Sequence, residues 1–219
     1  MNMKKIFSIF IFIIFLFSFT FIDNKKETSI TVENSKKYDL DYFKEYFNNN
    51  DIVGTIKIDD TSINNFIVKG VDNKYYLNHS IDKKYDVKGS IFLDYRVDLN
   101  SKQINIYGHN SNYYKDLPFH ELESYLNKNF YNTHRYIKIW DGINDNIYEI
   151  FSIQLVTNDY EHMNVFPKDV NNHLEKISKS IYETGVDINM NDQILVLQTC
   201  SYTPKGYIVI YSKKIDNKV

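Results

Sequence analysis

The sequence is poor in the residues that several classes of functional site require. It has one cysteine among 219 residues, so no disulfide can form within the chain. Its seven glycines stand singly, so no glycine-rich loop is available to cradle a phosphate. The motif His120-Glu121 lacks the second histidine of a zinc-protease helix. A formal net charge of −2 gives no concentrated basic surface. We therefore predict no metal, no cofactor and no nucleic-acid partner.

The N-terminal segment has the composition of a membrane anchor. Lys4 and Lys5 precede an apolar stretch at 6–22, which as a helix of about 1.5 Å per residue nearly spans a hydrocarbon core of about 30 Å. No small-x-small cleavage site follows, which favours an uncleaved signal anchor over a removed signal peptide. We predict an anchor at 1–24, a polar linker at 25–37 and one domain at 38–219. The predicted localisation is the cell membrane, with a single span and the domain outside.

The spacing of the apolar residues predicts a barrel. Eight short segments are rich in β-branched and aromatic residues and are separated by turn residues; they lie at 52–58, 64–68, 90–93, 103–107, 135–140, 147–156, 193–199 and 207–212. Eight strands without regular intervening helices favour an antiparallel or mixed barrel over a doubly wound sheet. Helical patterns occur at 39–48, 116–126 and 169–184. The predicted fold class is therefore mainly β with added helices.

The lone thiol is the first candidate for catalysis. A cysteine nucleophile acts as a thiolate, and an unperturbed pKa of about 8.5 leaves little thiolate at neutral pH without help from a base or a cation. His109 follows a predicted strand and Gly108, and Cys200 also ends a strand, so both could meet in one cleft. From the residues alone, Cys200 could equally be a small core residue and His109 a turn residue. We predict that the other histidines are surface or helix residues: His79, His120, His134, His162 and His173.

Six motifs in the domain resemble those of class B sortases in order and spacing. They are Val53-Gly-Thr-Ile-Lys-Ile58, Tyr75-Tyr-Leu-Asn-His79, Gly89-Ser-Ile-Phe-Leu-Asp-Tyr-Arg96, Ile106-Tyr-Gly-His-Asn110, Phe130-Tyr-Asn-Thr-His134 and Leu197-Gln-Thr-Cys200. The similarity extends from about residue 38 to 215. It implies an eight-stranded sortase barrel with an N-terminal helix, matched by 39–48, and a long helix inserted between late strands, matched by 169–184.

The resemblance also implies a reaction and a set of partners. Cys200 would attack the Thr carbonyl of a C-terminal sorting signal and form a thioester with the surface protein. His109 would protonate the leaving amine and then deprotonate the amine of a peptidoglycan precursor, which takes the surface protein. Class B relatives suggest signals such as Asn-Pro-Gln-Thr-Asn or a Ser/Asn-Pro-x-Thr-Gly variant.

The chain departs from the sortase pattern at one position. Sortases carry an Arg on the strand after the cysteine, where it binds the signal and stabilises the oxyanion, but the aligned residue here is Tyr207. Lys205 shares its strand face, so either side chain could donate instead. Thr199 and Tyr160 are weaker candidates for binding the peptide. Two alternatives stay open: a Cys/His peptidase with a mainly hydrolytic outcome, and a catalytically impaired homologue that only binds peptides.

Overall fold

The computed structural model describes residues 38–158 and 160–215, and these form a closed barrel of eight strands. The strands are β1 (Ile52–Lys57), β2 (Asn64–Val68), β3 (Ile91–Leu93), β4 (Gln103–Tyr107), β5 (Tyr136–Trp140), β6 (Asp145–Val156), β7 (Ile194–Tyr202) and β8 (Lys205–Ile215). Their order around the barrel is β1-β2-β3-β4-β7-β8-β6-β5. The β2/β3 and β4/β7 pairs are parallel and the others antiparallel. The predicted mixed barrel is therefore confirmed.

Alternation along β7 separates two apolar clusters. Leu195 and Leu197 belong to the main core inside the barrel, whereas Ile194 and Val196 belong to a second cluster on the outer face. The β7/β8 register is continuous from Ile194 to Tyr202. Since side chains alternate along a strand, Cys200 lies on the same outer face as Val196.

Within the described residues, three short α-helices lie around the barrel, and each begins at a side-chain cap. They are α1 (Leu40–Tyr46), α2 (Lys128–Thr133) and α3 (Val170–Ile177), capped by Asp39, Asn127 and Asp169 respectively. The same part of the chain has 3-10 helices at Tyr75–Leu77, His120–Leu126 and Glu161–Met163. The predicted helix at 116–126 is thus a 3-10 helix over its second half.

The helix inserted between β6 and β7 is shorter than the predicted 169–184. It ends at Ile177: the backbone N–H groups of Ser178 and Lys179 still bond to carbonyls of the helix, but from Ser180 onward the chain bonds to β6. The backbone N–H of Ile181 donates to the Ile153 carbonyl at 2.8 Å, and the Ile153 N–H donates to the Ser180 hydroxyl at 3.0 Å. These bonds to a strand replace the continuation of the helix, and Ile177 packs in the outer cluster.

The predicted localisation requires a correction. Across 38–158 and 160–215, no helix is both long and apolar enough to cross a bilayer. This finding contradicts the single-pass membrane protein inferred from the sequence. The predicted anchor at 1–24 and linker at 25–37 lie outside the described residues.

Candidate functional site

The parallel pairing of β4 with β7 brings the two predicted catalytic residues to the same end of the sheet. Tyr107, the last residue of β4, is aligned with Gln198 in β7. His109 and Cys200 each lie two residues further along these neighbouring strands. Parallel strands run in register, so their C-terminal ends lie side by side. The expectation that both residues occupy one region of the barrel rim therefore agrees with the topology.

Three side-chain hydrogen bonds join the residues that flank His109 to β7, besides the backbone bond from Gly108 N–H to the Gln198 carbonyl at 3.3 Å. The Thr199 hydroxyl donates to the Gly108 carbonyl at 2.9 Å. The side-chain amide of Asn110 donates to the backbone carbonyl of Cys200, and the Tyr202 hydroxyl donates to the Asn110 carbonyl, both at 3.0 Å. The backbone on either side of His109 is consequently fixed relative to Cys200.

Of these residues, the sequence analysis identified Thr199 as a site candidate and missed Asn110. Thr199 was predicted to bind substrate; it is 2% exposed and its hydroxyl is engaged by Gly108, and its part in substrate binding stays a prediction. Asn110, also 2% exposed, was not singled out. Its carbonyl oxygen Oδ1 lies 2.8 Å from Nδ1 of His120, which fixes the orientation of the amide. The only sequence signal for Asn110 is its place directly after His109.

The His109 ring is hydrogen-bonded to the connection between β2 and β3. Its Nε2 lies 2.6 Å from the backbone carbonyl of Leu77, at the end of the Tyr75–Leu77 3-10 helix. A carbonyl oxygen can only accept, so Nε2 carries the proton of a neutral ring and Nδ1 is left as the basic nitrogen. Cys200 is partly buried, and this burial raises the pKa of its thiol. The resting thiol is therefore mainly protonated at neutral pH.

Tyr207 lies directly opposite Cys200 in the antiparallel β7/β8 pair, and Lys205 lies opposite Tyr202. Residues that pair across strands share a face, so all four belong to the Cys200 face. The Tyr207 ring packs against the rings of Tyr160 and His162, each with centroids 5.9 Å away. Tyr160 is half exposed and Lys205 is exposed, whereas His162 is fully buried. The sequence did not indicate the burial of His162.

The chain resembles sortase B proteins over most of its length, although no family model matches it. It is 34% identical to Sortase B of Listeria monocytogenes over an alignment of 177 positions that covers 76% of this chain and 71% of that relative. The chain belongs to the sortase B family. The solved structure of Clostridium perfringens sortase B superposes with a TM-score of 0.72 at 30% identity and covers 80% of this chain and 100% of that one. A Staphylococcus aureus sortase B–substrate complex matches with a TM-score of 0.73 at 28% identity, covering 85% and 90%.

Beside its catalytic candidates, this sortase has an extensive polar network that sequence reasoning missed. Asp94 is fully buried and binds the guanidinium of Arg96 through two bonds, Nε to Oδ1 at 2.8 Å and Nη2 to Oδ2 at 2.7 Å. Burial alone would raise the pKa of Asp94, but bonds from Arg96, Tyr107 and Asn73 outweigh it and lower the pKa to about 2. Both residues of this pair belong to the Gly-Ser-Ile-Phe-Leu-Asp-Tyr-Arg motif, and this motif is the feature of the sequence that could have indicated the pair.

Within 38–158 and 160–215, no three His, Cys, Asp or Glu side chains cluster in a way that could hold an ion. On its strand face, Cys200 has Tyr207 opposite it in β8, with the pair of Tyr202 and Lys205 beyond.

Proposed function

We propose that this sortase is a cysteine transpeptidase that cleaves a sorting signal after its Thr and transfers the surface protein to a peptidoglycan amine. The observation that supports it best is the set of hydrogen bonds between the flanks of His109 and β7, with the partly buried Cys200 on the outer face of that strand. A nucleophile and a base held on two bonded strands suit acyl transfer, which requires fixed geometry.

The proposed first step forms a thioester. His109 accepts the proton of the Cys200 thiol as the sulfur attacks the Thr carbonyl, which gives a tetrahedral oxyanion and a protonated His109. Collapse of this intermediate breaks the C–N bond, and the protonated His109 gives its proton to the departing amine. The surface protein stays on sulfur as an acyl-enzyme, and the C-terminal part of the signal leaves. The S. aureus relative that was solved with substrate supports peptide binding in this family.

The second step consumes the thioester. The acceptor amine attacks the thioester carbonyl while His109 accepts its proton, and the Cys200 thiolate leaves as the new amide forms. Charge develops on the carbonyl oxygen in both steps. Tyr207 and Lys205, which share the Cys200 face, are the candidate donors to that oxygen. Tyr160, whose ring packs on Tyr207, is the candidate wall for the peptide.

The experiment that tests this proposal follows cleavage of fluorescent sorting-signal peptides by the full chain, with and without hydroxylamine. Cys200→Ala and His109→Ala should each abolish turnover, and hydroxylamine should divert the product to a hydroxamate. His134→Ala is the matched control, because His134 follows α2 and leads into β5, which pairs with β1 and β6 and not with β7.

The outcomes separate the proposed activity from its two alternatives. Turnover that hydroxylamine cannot divert would identify a hydrolytic Cys/His peptidase. Peptide binding that survives Cys200→Ala, with no thioester detectable by intact-protein mass, would identify a binding module. Two observations favour this last alternative: burial raises the pKa of the Cys200 thiol, and the residue opposite Cys200 is Tyr207 and not Arg.

A further inference from the structure

One ion pair, between the buried carboxylate of Asp94 and the more exposed guanidinium of Arg96, links the barrel to the connection whose aromatic rings pack on Tyr207. The Asp94 carboxylate, 0% exposed, accepts hydrogen bonds from the Tyr107 hydroxyl at 2.8 Å and the Asn73 amide at 2.9 Å, besides those from Arg96. The Arg96 backbone N–H adds another at 2.9 Å. The guanidinium is thereby held by a carboxylate that is itself fixed from several sides.

The fixed guanidinium reaches across to the connection between β6 and β7. Its Nη2 also donates to the backbone carbonyl of Met163 at 3.1 Å. Met163 is the last residue of the 3-10 helix Glu161–Met163, and 67 positions separate it from Arg96. Arg96 is therefore a bridge between the end of β3 and this 3-10 helix.

The neighbouring carbonyl of the same 3-10 helix is held from β4. The side-chain amide of Asn105 donates to the His162 carbonyl, and Gln103 Nε2 lies 3.4 Å from the same oxygen. Gln103 Nε2 also donates to Asn105 Oδ1 at 3.0 Å, which orients both amides. Two consecutive carbonyls, those of His162 and Met163, are thus bound by side chains from the barrel.

The hydrogen bonds to the His162 and Met163 carbonyls hold in place the aromatic rings that pack on Tyr207. Tyr160 precedes the 3-10 helix and His162 lies within it, and both rings pack on Tyr207, opposite Cys200. We propose that Arg96 is a positioning residue that holds Glu161–Met163 over the Cys200 face and thereby sets the affinity for the sorting-signal peptide. The identity of the substrate in this inference rests on the proposed function, whereas the positioning of the 3-10 helix by Arg96 rests only on the contacts described above.

Lysine cannot replace Arg96 in this arrangement. The planar guanidinium makes two parallel bonds to Asp94 and a third to Met163, whereas an ammonium on a flexible stem is a point charge. The chain supplies a matched control in Arg135, its one other arginine, which pairs with Glu149 at 3.0 Å. Arg135 precedes β5, and its carboxylate partner lies on β6.

The first test needs no substrate. Hydrogen–deuterium exchange of the full chain is compared for wild type, Arg96→Lys, Arg96→Gln and the controls Arg135→Lys and Arg135→Gln. We expect the Arg96 variants to speed exchange in peptides that cover 161–165 by about tenfold, with β7 and β8 unchanged. The Arg135 variants should leave 161–165 as in wild type. Unchanged exchange at 161–165 in both Arg96 variants would overturn the proposal. Arg96→Lys keeps the charge beside Asp94, so this variant remains informative if Arg96→Gln does not fold.

The second test separates positioning from chemistry. For the Arg96 variants we expect the KM of the peptide to rise by about fivefold to tenfold with kcat within twofold, and the rate of Cys200 alkylation by iodoacetamide to stay within twofold. A fall in kcat with an unchanged KM would overturn the proposal, because Arg96 would then act on the catalytic pair. If wild type shows no turnover, peptide affinity is measured on Cys200→Ala with and without Arg96→Lys. If wild type also binds no peptide, the proposed function fails, and the exchange result alone decides whether Arg96 holds this 3-10 helix.

Discussion

Tyr207 faces Cys200 across the β7/β8 pair, at the position where the resemblance to sortases predicts an Arg. Its ring is held by Tyr160 and His162, so the hydroxyl is carried on a side chain with little freedom. Lys205 shares the face, but it is exposed and lies two residue pairs further along, opposite Tyr202. A preorganised donor stabilises a developing oxyanion better than a mobile one, because no reorganisation is needed during the reaction.

We therefore expect Tyr207→Phe to be more damaging than Lys205→Gln. Loss of the hydroxyl should lower kcat by about 10²-fold to 10³-fold, the range for removal of one oxyanion donor. Lys205→Gln should change kcat by less than about threefold, because screening by water weakens an exposed charge. Steady-state cleavage of one peptide by the three proteins is the measurement. A larger loss in Lys205→Gln would assign the donor to the lysine.

Asn110 offers a test of the geometry between base and nucleophile. Its side chain bonds to the Cys200 carbonyl, and Asn110→Ala removes that bond and leaves the buried oxygen without this partner. We expect kcat to fall by about 10-fold to 100-fold, since small displacements of catalytic groups are costly, with KM nearly unchanged. The control is Asn112→Ala, because Asn112 is exposed and two residues away.

If Asn110→Ala retained full kcat, the proposed importance of the bonds between the His109 flanks and β7 would be contradicted. Thermal unfolding of both asparagine variants is measured alongside, because loss of one hydrogen bond costs about 1 kcal/mol of unfolding free energy. If kcat falls by more than the loss of unfolding free energy can account for, the effect of Asn110→Ala lies in the active site.

The buried carboxylate of Asp94 should make stability depend on acid pH. Its pKa is lowered from 3.8 to about 2 in the folded state, so folding gains stability above the unfolded pKa and loses it as pH falls from about 4 towards 2. A shift of this size corresponds to about 2 kcal/mol. Glu161 adds to the loss: burial would raise its pKa, but bonds from His173, Asn164 and Lys176 lower it to about 2.

Urea unfolding at pH 7, 4 and 2.5 measures this dependence. Asp94→Asn should be less stable than wild type at pH 7, because Arg96 loses its charged partner, and the difference should shrink as pH falls. The Asn112→Ala variant should follow the wild-type curve. Parallel curves for Asp94→Asn and wild type would show that the Asp94 carboxylate does not drive the pH dependence.

The strands were accessible from the sequence because they depend on local pattern, whereas the proposal of His109 and Cys200 as a catalytic pair depended on the resemblance to sortases. Short β-branched runs identified all eight strands, and His109 and Cys200 follow such runs. The end of α3 was not accessible, since it depends on bonds from Ser180 and Ile181 to Ile153, a strand residue more than 25 positions away. Arg96 and Met163 are separated by 67 positions, and their contact involves a backbone carbonyl that carries no sequence signature.

The protonation of Cys200 gives the last prediction. Burial raises the pKa of the thiol, and the His109 Nε2 points at the Leu77 carbonyl in the resting structure. A thiol with a raised pKa holds less thiolate at neutral pH, so alkylation by iodoacetamide should rise about tenfold per pH unit from pH 7 to beyond 8.5, without a plateau. His109→Ala should leave this profile in place, because the histidine then acts on the amine and not on the resting thiol. A plateau at neutral pH in the wild-type profile, absent from His109→Ala, would contradict this prediction. It would reveal a preformed thiolate–imidazolium pair, and the mechanism would then start from that ion pair.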